Sequence, residues 1–159
     1  MKKKLVIAAV IFVGLIITTT IVLQNHKPLA QPQTSDRYNK ILTINGHILY
    51  IDIARSTAEM MQGLSGRPSM DVNQGMLFDF RPQPPQVRTF WMKGMDFGLD
   101  FIWINKGTIV DITANVPPPQ SDSNNLPSYK PSAAVDEVLE VNAGWAGKNN
   151  VKVGDQIIF

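Results

Sequence analysis

The sequence predicts an α+β chain, mostly antiparallel β. It reads as a small barrel or cradle-like domain with one or two short helices, preceded by a single N-terminal transmembrane helix. Three observations carry this. Residues 5–23 (LVIAAVIFVGLIITTTIVL) are apolar without a charge and follow three lysines. Beyond residue 40 the chain breaks into short apolar runs separated by Gly, Pro and Asn, the spacing of strands and turns. The stretch 75–112 holds two of the three tryptophans, five of the seven phenylalanines and three of the seven methionines, so the rest of the domain has one place to close around.

As a helix, residues 5–23 reach about 28 Å, close to a bilayer core of ~30 Å. The positive-inside rule keeps Lys2, Lys3 and Lys4 in the cytoplasm and sends the remainder outward. The expected placement is the cell membrane, single-pass, with the domain outside. The alternative is secretion after cleavage. Against it, the apolar core is longer than a signal peptide's, and the one candidate site, after Ala30, has Pro28 at the minus-three position. The segments are a basic flank (1–4), the anchor (5–23), a polar tether (24–40, QNHKPLAQPQTSDRYNK) and the domain (41–159). A flexible tether of this length spans roughly 20–25 Å.

The formal charge of the chain is +2. Four of the fifteen basic residues precede Pro28, and the other eleven face all thirteen acids, leaving −2 for the exported part. A slightly acidic domain without a Lys/Arg cluster does not suit nucleic acid, whose binding rests on phosphate neutralisation. Cysteine is absent, which excludes a lipoprotein cysteine, a thiol nucleophile and a thiolate metal site.

Within the domain, residues 41–53 (ILTINGHILYIDI) read as a hairpin, because Asn45-Gly46 accepts the positive φ angles of a two-residue turn. Residues 56–64 (STAEMMQGL) read as a short helix with Ser56 and Glu59 at capping-box spacing and Gly63 at its end. Met60, Met61 and Leu64 form its apolar edge. Strands are expected at 75–80 (GMLFDF) and 87–92 (VRTFWM), joined by a proline-rich loop. A second hairpin follows at 99–105 and 108–113 across Lys106-Gly107. Residues 116–131 (VPPPQSDSNNLPSYKP) read as a long loop of the kind that is either a functional lid or disordered. A strand at 133–141, a helical turn within 142–150 and a strand–turn–strand at 151–159 complete about eight strands. There is no internal repeat.

Several short motifs occur in a fixed order: A-x-S-T-x-x-x-x-x-G-L at 54–64, G-M-L-F-x-F at 75–80, F-W-M-K at 90–93, L-D-F-I at 99–102, V-L-E-V at 138–141 and V-G-D-x-I at 153–157. Together they resemble the family known as domain of unknown function 192, over roughly residues 41–159. The resemblance implies a compact β-rich domain, often exported or membrane-tethered in bacteria and archaea, and brings no activity with it. Members usually read F-W-M-K-N-T, and here Gly94 and Met95 replace the Asn-Thr pair. The closing V-x-V-G-D-x-I-x-F also looks like the Gly-Asp turn of cradle-loop barrels. There glycine permits the tight turn and Asp155 accepts backbone N–H groups.

The residues with chemistry are Trp91, Lys93, Asp96, Asp100 and Glu140, with Arg67 apart from them. Lys93 follows an apolar strand and precedes a glycine, a placement at the rim of an apolar pocket. Asp100 and Glu140 each lie inside an apolar strand, where an acid either faces water or needs a partner. Arg67 can pair with an internal carboxylate or hold an anionic ligand. The recurrent hydrolase, metalloprotease and phosphate-loop signatures are missing, both histidines sit at the domain's edge, and no metal or cofactor is implied.

The leading expectation is an anchored extracytoplasmic domain that binds a small ligand or an envelope protein in a cradle. Its candidate ligand-binding residues are Arg67, Phe90, Trp91, Lys93, Asp100, Trp103 and Glu140, with Met92 beside them. One alternative is an enzyme using Lys93 with Asp100 or Glu140 as acid–base groups. Another is an accessory domain whose proline-rich loops bind a protein.

Overall fold

A computed structural model describes residues 40–120 and 125–159. The expected anchor at 5–23 and all of the tether but Lys40 lie outside the described residues. Among those described, no helix is long and apolar enough to cross a membrane.

Among the described residues seven strands and two short helices follow in the order β1 (Lys40–Ile44), β2 (His47–Ala54), α1 (Thr57–Gln62), β3 (Gln74–Asp79), β4 (Leu99–Asn105), β5 (Thr108–Val116), β6 (Glu137–Asn142), α2 (Trp145–Lys148) and β7 (Ile157–Ile158). They form one sheet in the order β5-β4-β6-β3-β2-β1-β7. All pairings are antiparallel except β2 with β3, whose crossover carries α1. The C-terminal segment serves both ends of the sheet. β7 pairs with β1, while Ile109 N–H reaches Asp155 O at 2.9 Å, Gly154 N–H reaches Ile109 O at 2.8 Å and Ile157 N–H reaches Gly107 O at 2.9 Å. The sheet thereby curls into a half-barrel whose two edge strands are bridged at one end by the C-terminal segment.

Both expected hairpins are present. Asn45 and Gly46 take φ of 51° and 80°, and Lys106 and Gly107 take 52° and 76°. The capping box of α1 is complete, with Glu59 N–H on the Ser56 hydroxyl at 3.2 Å and Ser56 N–H on the Glu59 carboxylate at 2.8 Å. The Gly-Asp turn also forms as its residues suggest. Asp155 accepts from Lys152 N–H at 2.8 Å and from the Asn45 amide at 2.6 Å, so the last turn is tied to the first.

Three expected elements differ. Residues 87–92 are not a strand. Among the described residues the backbone from 86 to 92 pairs with the chain opposite only at the isolated bridges Gln86–Val135 and Phe90–Tyr129. Pro127 and Pro131 flank Tyr129 and carry no N–H, so a continuous ladder cannot form. The period of two survives, since Arg88 and Phe90 are half-buried and Met92 is buried while Val87, Thr89 and Trp91 are exposed. The strand expected at 133–141 begins only at Glu137, and residues 151–153 join no ladder.

The core has two parts, one on each face of the central strands. Leu77, Ile102, Ile104, Leu139 and Val141 fill the barrel with residues from β1, β2 and α2. Met76, Phe78, Phe101, Trp103 and Val138 point outward and are covered by α1 and the loops. Strands β3, β4 and β6 are therefore buried on both faces, which explains their unbroken apolar runs. Gly75 lies where β3 meets β6. A Cβ there would sit 2.9 Å from Glu140 O and 3.3 Å from the Leu139 and Val141 side chains. Gly75→Ala is expected to lose about 2 kcal/mol in urea denaturation by forcing the two strands apart.

Candidate functional site

On β6 the alternation puts Leu139 and Val141 inside the barrel and Val138 and Glu140 outside. Glu140 stands opposite Met76 on β3 and Phe101 on β4. An acid is thus enclosed by apolar neighbours on both sides. It is 5% exposed, and burial pushes its carboxyl up to about 8, with the Arg67 guanidinium opposing the shift. At neutral pH it is mostly the uncharged acid. Among the described residues its carboxyl has no hydrogen-bond partner.

Glu140 lines a cavity of about 940 Å³ on the outer face of the sheet. Phe78, Phe80 and Phe90 contribute aromatic walls, α1 contributes Met60 and Met61, and the loop after β5 contributes Pro119 and Leu126. The rings interlock edge to face, Phe90 standing 4.9 Å from Phe78 and 5.4 Å from Trp103 between centroids. Arg88 and Lys93 bring positive charge to the same cavity. The Arg88 guanidinium carbon lies 4.1 Å over the Phe80 ring, its Nε is buried without an acceptor, and burial lowers its pKa.

Of the residues singled out in the sequence, Phe90, Trp91, Lys93 and Glu140 meet at this cavity. Trp91 is 55% exposed and Lys93 is exposed, so both stand at the mouth, whereas Glu140 is deep. Arg67 does not line the cavity. It pairs with Asp52 at 2.9 Å, one of the two roles open to it in the sequence. Trp103 is fully buried behind Phe90 and donates its indole N–H to Thr113 at 2.9 Å.

Asp100 is also absent from the cavity, and its surroundings explain why. Its carboxylate accepts the backbone N–H groups of Asn115 at 2.7 Å, Gly144 at 2.9 Å and Ala146 at 2.9 Å. It caps α2 and fastens β5, with no oxygen turned to a ligand. Met61, expected in the apolar core edge of α1, is 78% exposed and belongs to the cavity mouth. Met92 and Met95 are buried in the outer core, and Gly94 has a φ of 66° with no room for a Cβ beside the Ser65 hydroxyl.

Sequence reasoning missed Arg88. The signal was present, since Arg88 has the same parity as Phe90 and Met92 in an alternating run. It also missed a second charge cluster at the end of β3. Asp79 is held by Arg81 at 2.8 Å and Arg55 at 3.0 Å, and these bonds keep its carboxyl below the usual range. Arg81 lies 2.8 Å from Glu137 at an angle that makes a charge contact and no hydrogen bond. This network is structural and separate from the cavity. Among the described residues no group of three His, Cys, Asp or Glu is placed to hold a metal.

A model of the family described as uncharacterized ACR, domain of unknown function 192, matches residues 40–159. The chain belongs to this family. Domain of unknown function 192 therefore accounts for the whole of the described barrel, and the motifs that suggested it fall on α1, β3, the segment before β4, β4, β6 and the closing turn. A similar solved structure is a protein of unknown function from Novosphingobium aromaticivorans. It is 28% identical with a TM-score of 0.66, over 75% of this chain and 84% of that one. Another is a candidate transcription regulator from Sinorhizobium meliloti, 33% identical with a TM-score of 0.61, over 70% and 82%. No curated protein matches.

Proposed function

We propose that this member of the family is a ligand-binding domain held at the outer face of the cell membrane by residues 5–23, with its small ligand taken up in the cavity on the outer face of the barrel. One observation carries the reading. A buried, uncharged carboxyl without a hydrogen-bond partner among the described residues lies in an aromatic cavity large enough for a small molecule. Its strand neighbours are apolar on both sides, so the cavity is the side from which a polar partner can reach it. The exported placement rests on the apolar segment and its lysine flank. Direct regulation of transcription on DNA does not suit this chain, because acids outnumber bases from Pro28 onward.

The test is native against denaturing mass spectrometry on the full chain purified from its own cells. Extra mass in the native spectrum alone, lost in Lys93→Ala, is the expected result. A bare mass in both spectra overturns the reading and leaves a protein partner for the proline-rich loops, which crosslinking in intact cells would capture.

A second reading is acid–base chemistry by Glu140 with Lys93. It is favoured by their sharing one cavity and by a carboxyl that titrates near neutrality. Asp100 has no part in it, since its oxygens are taken by backbone N–H groups.

A further inference from the structure

Among the described residues the charges around the cavity are one-sided. Of those that line it, Glu140 is the one acid, while Arg88 and Lys93 are cations. Glu140 faces Met76 from β3 and Phe101 from β4, both apolar. Arg67, from the loop after α1, acts on it through space and is itself held by Asp52 of β2. With Glu140 uncharged, the described lining is positive at neutral pH.

The unpaired groups are also of one kind. Among the described residues Arg88 Nε is a buried donor without an acceptor, and the one hydrogen bond of its guanidinium runs from Nη2 to Gln83 at 3.3 Å. The protonated Glu140 carboxyl is a second donor without an acceptor. A cavity with two idle donors, two cations and walls of phenylalanine and methionine asks for acceptor oxygens and negative charge on an apolar body.

Resting on the binding reading above, we propose that the ligand is an apolar carboxylate, an aryl or alkyl body bearing one anionic head. Arg88 and Lys93 supply its counter-charge, and the Glu140 carboxyl closes a hydrogen bond to one of its oxygens. The body lies against Met60, Phe78 and Phe90. Trp91, exposed at the mouth, gains cover when the cavity fills. Because Glu140 must hold its proton beside an anion, binding weakens as pH rises through about 8.

The test uses the full chain in lipid nanodiscs, with empty nanodiscs as the blank, and calorimetry with three probes of one shape: 3-phenylpropanoate, 3-phenylpropan-1-ol and 3-phenylpropylamine. The carboxylate is expected to bind at least about tenfold tighter than the alcohol, and the amine not at all. The protonated fraction of Glu140 falls from about nine-tenths at pH 7 to about one-tenth at pH 9, so carboxylate affinity drops about tenfold. Glu140→Gln, which keeps a neutral donor, removes that pH dependence and retains binding. Arg88→Gln brings the carboxylate down toward the alcohol. Equal or tighter binding of the alcohol or amine overturns the proposal. So does the absence of heat from the carboxylate. If the native spectrum still shows an adduct that Lys93→Ala loses, the cavity remains a binding site for another chemistry. If it shows none, and no probe binds, both readings fall.

Discussion

Replacing Glu140 with Gln raises the melting temperature at pH 9 by about 10 °C and leaves it nearly unchanged at pH 5. The folded protein holds the Glu140 proton up to about pH 8, whereas the unfolded chain releases it near the ordinary value of 4.5. Between those limits the folded state binds more protons, so stability falls as pH rises from about 4.5 to 8. Every tenfold difference in acidity between the two states corresponds to about 1.4 kcal/mol, which leaves a burden of a few kcal/mol at pH 9. Gln has the same shape without the charge and lifts that burden. Thermal scans of both proteins from pH 5 to 9 provide the measurement. Parallel curves would mean that Glu140 is an ordinary solvated acid, and the case for the cavity as a binding site would go with it.

Asp100→Ala is expected to destabilise the domain by about 4 kcal/mol, because three N–H donors, one buried and two partly buried, lose a charged acceptor at once. Asp100→Asn should cost about half as much. Its single oxygen can keep Asn115 and Gly144, which both bond Oδ1, while its amide nitrogen turns a donor toward Ala146 N–H. Urea denaturation with an unchanged m-value checks the order wild type, Asn, Ala. Both variants, kept below their melting temperatures, should still retain any adduct seen in native spectra, since Asp100 does not line the cavity. An Asp100→Asn protein as stable as wild type, yet bare, would reverse this assignment and return Asp100 to the site.

The two acids show where a sequence stops. Asp100 and Glu140 look alike in one dimension, each set between two apolar residues of a strand. Local pattern determined that both strands exist, that Asn45-Gly46 and Lys106-Gly107 turn the chain, and that Ser56 and Glu59 start α1, because each depends on a few adjacent residues. The order of motifs was enough for the family. The aromatic cluster was also legible, since Phe90, Trp91 and Lys93 are contiguous or nearly so and do reach one cavity.

Only the tertiary structure decided which acid is satisfied. Asp100 finds three N–H groups from residues 15, 44 and 46 positions away, and no local signal reports them. Glu140 is stranded because β6 lies between β3 and β4, with Met76 and Phe101 as its cross-strand neighbours. Burial on both faces of a central strand comes from what covers the sheet, which alternation within the strand cannot encode. The missing strand at 87–92 has the same origin. Its own residues suit a ladder, and prolines on the chain opposite withhold the donors. Propensity and turn chemistry are properties of neighbours in sequence, whereas burial, charge state and pairing are properties of neighbours in space.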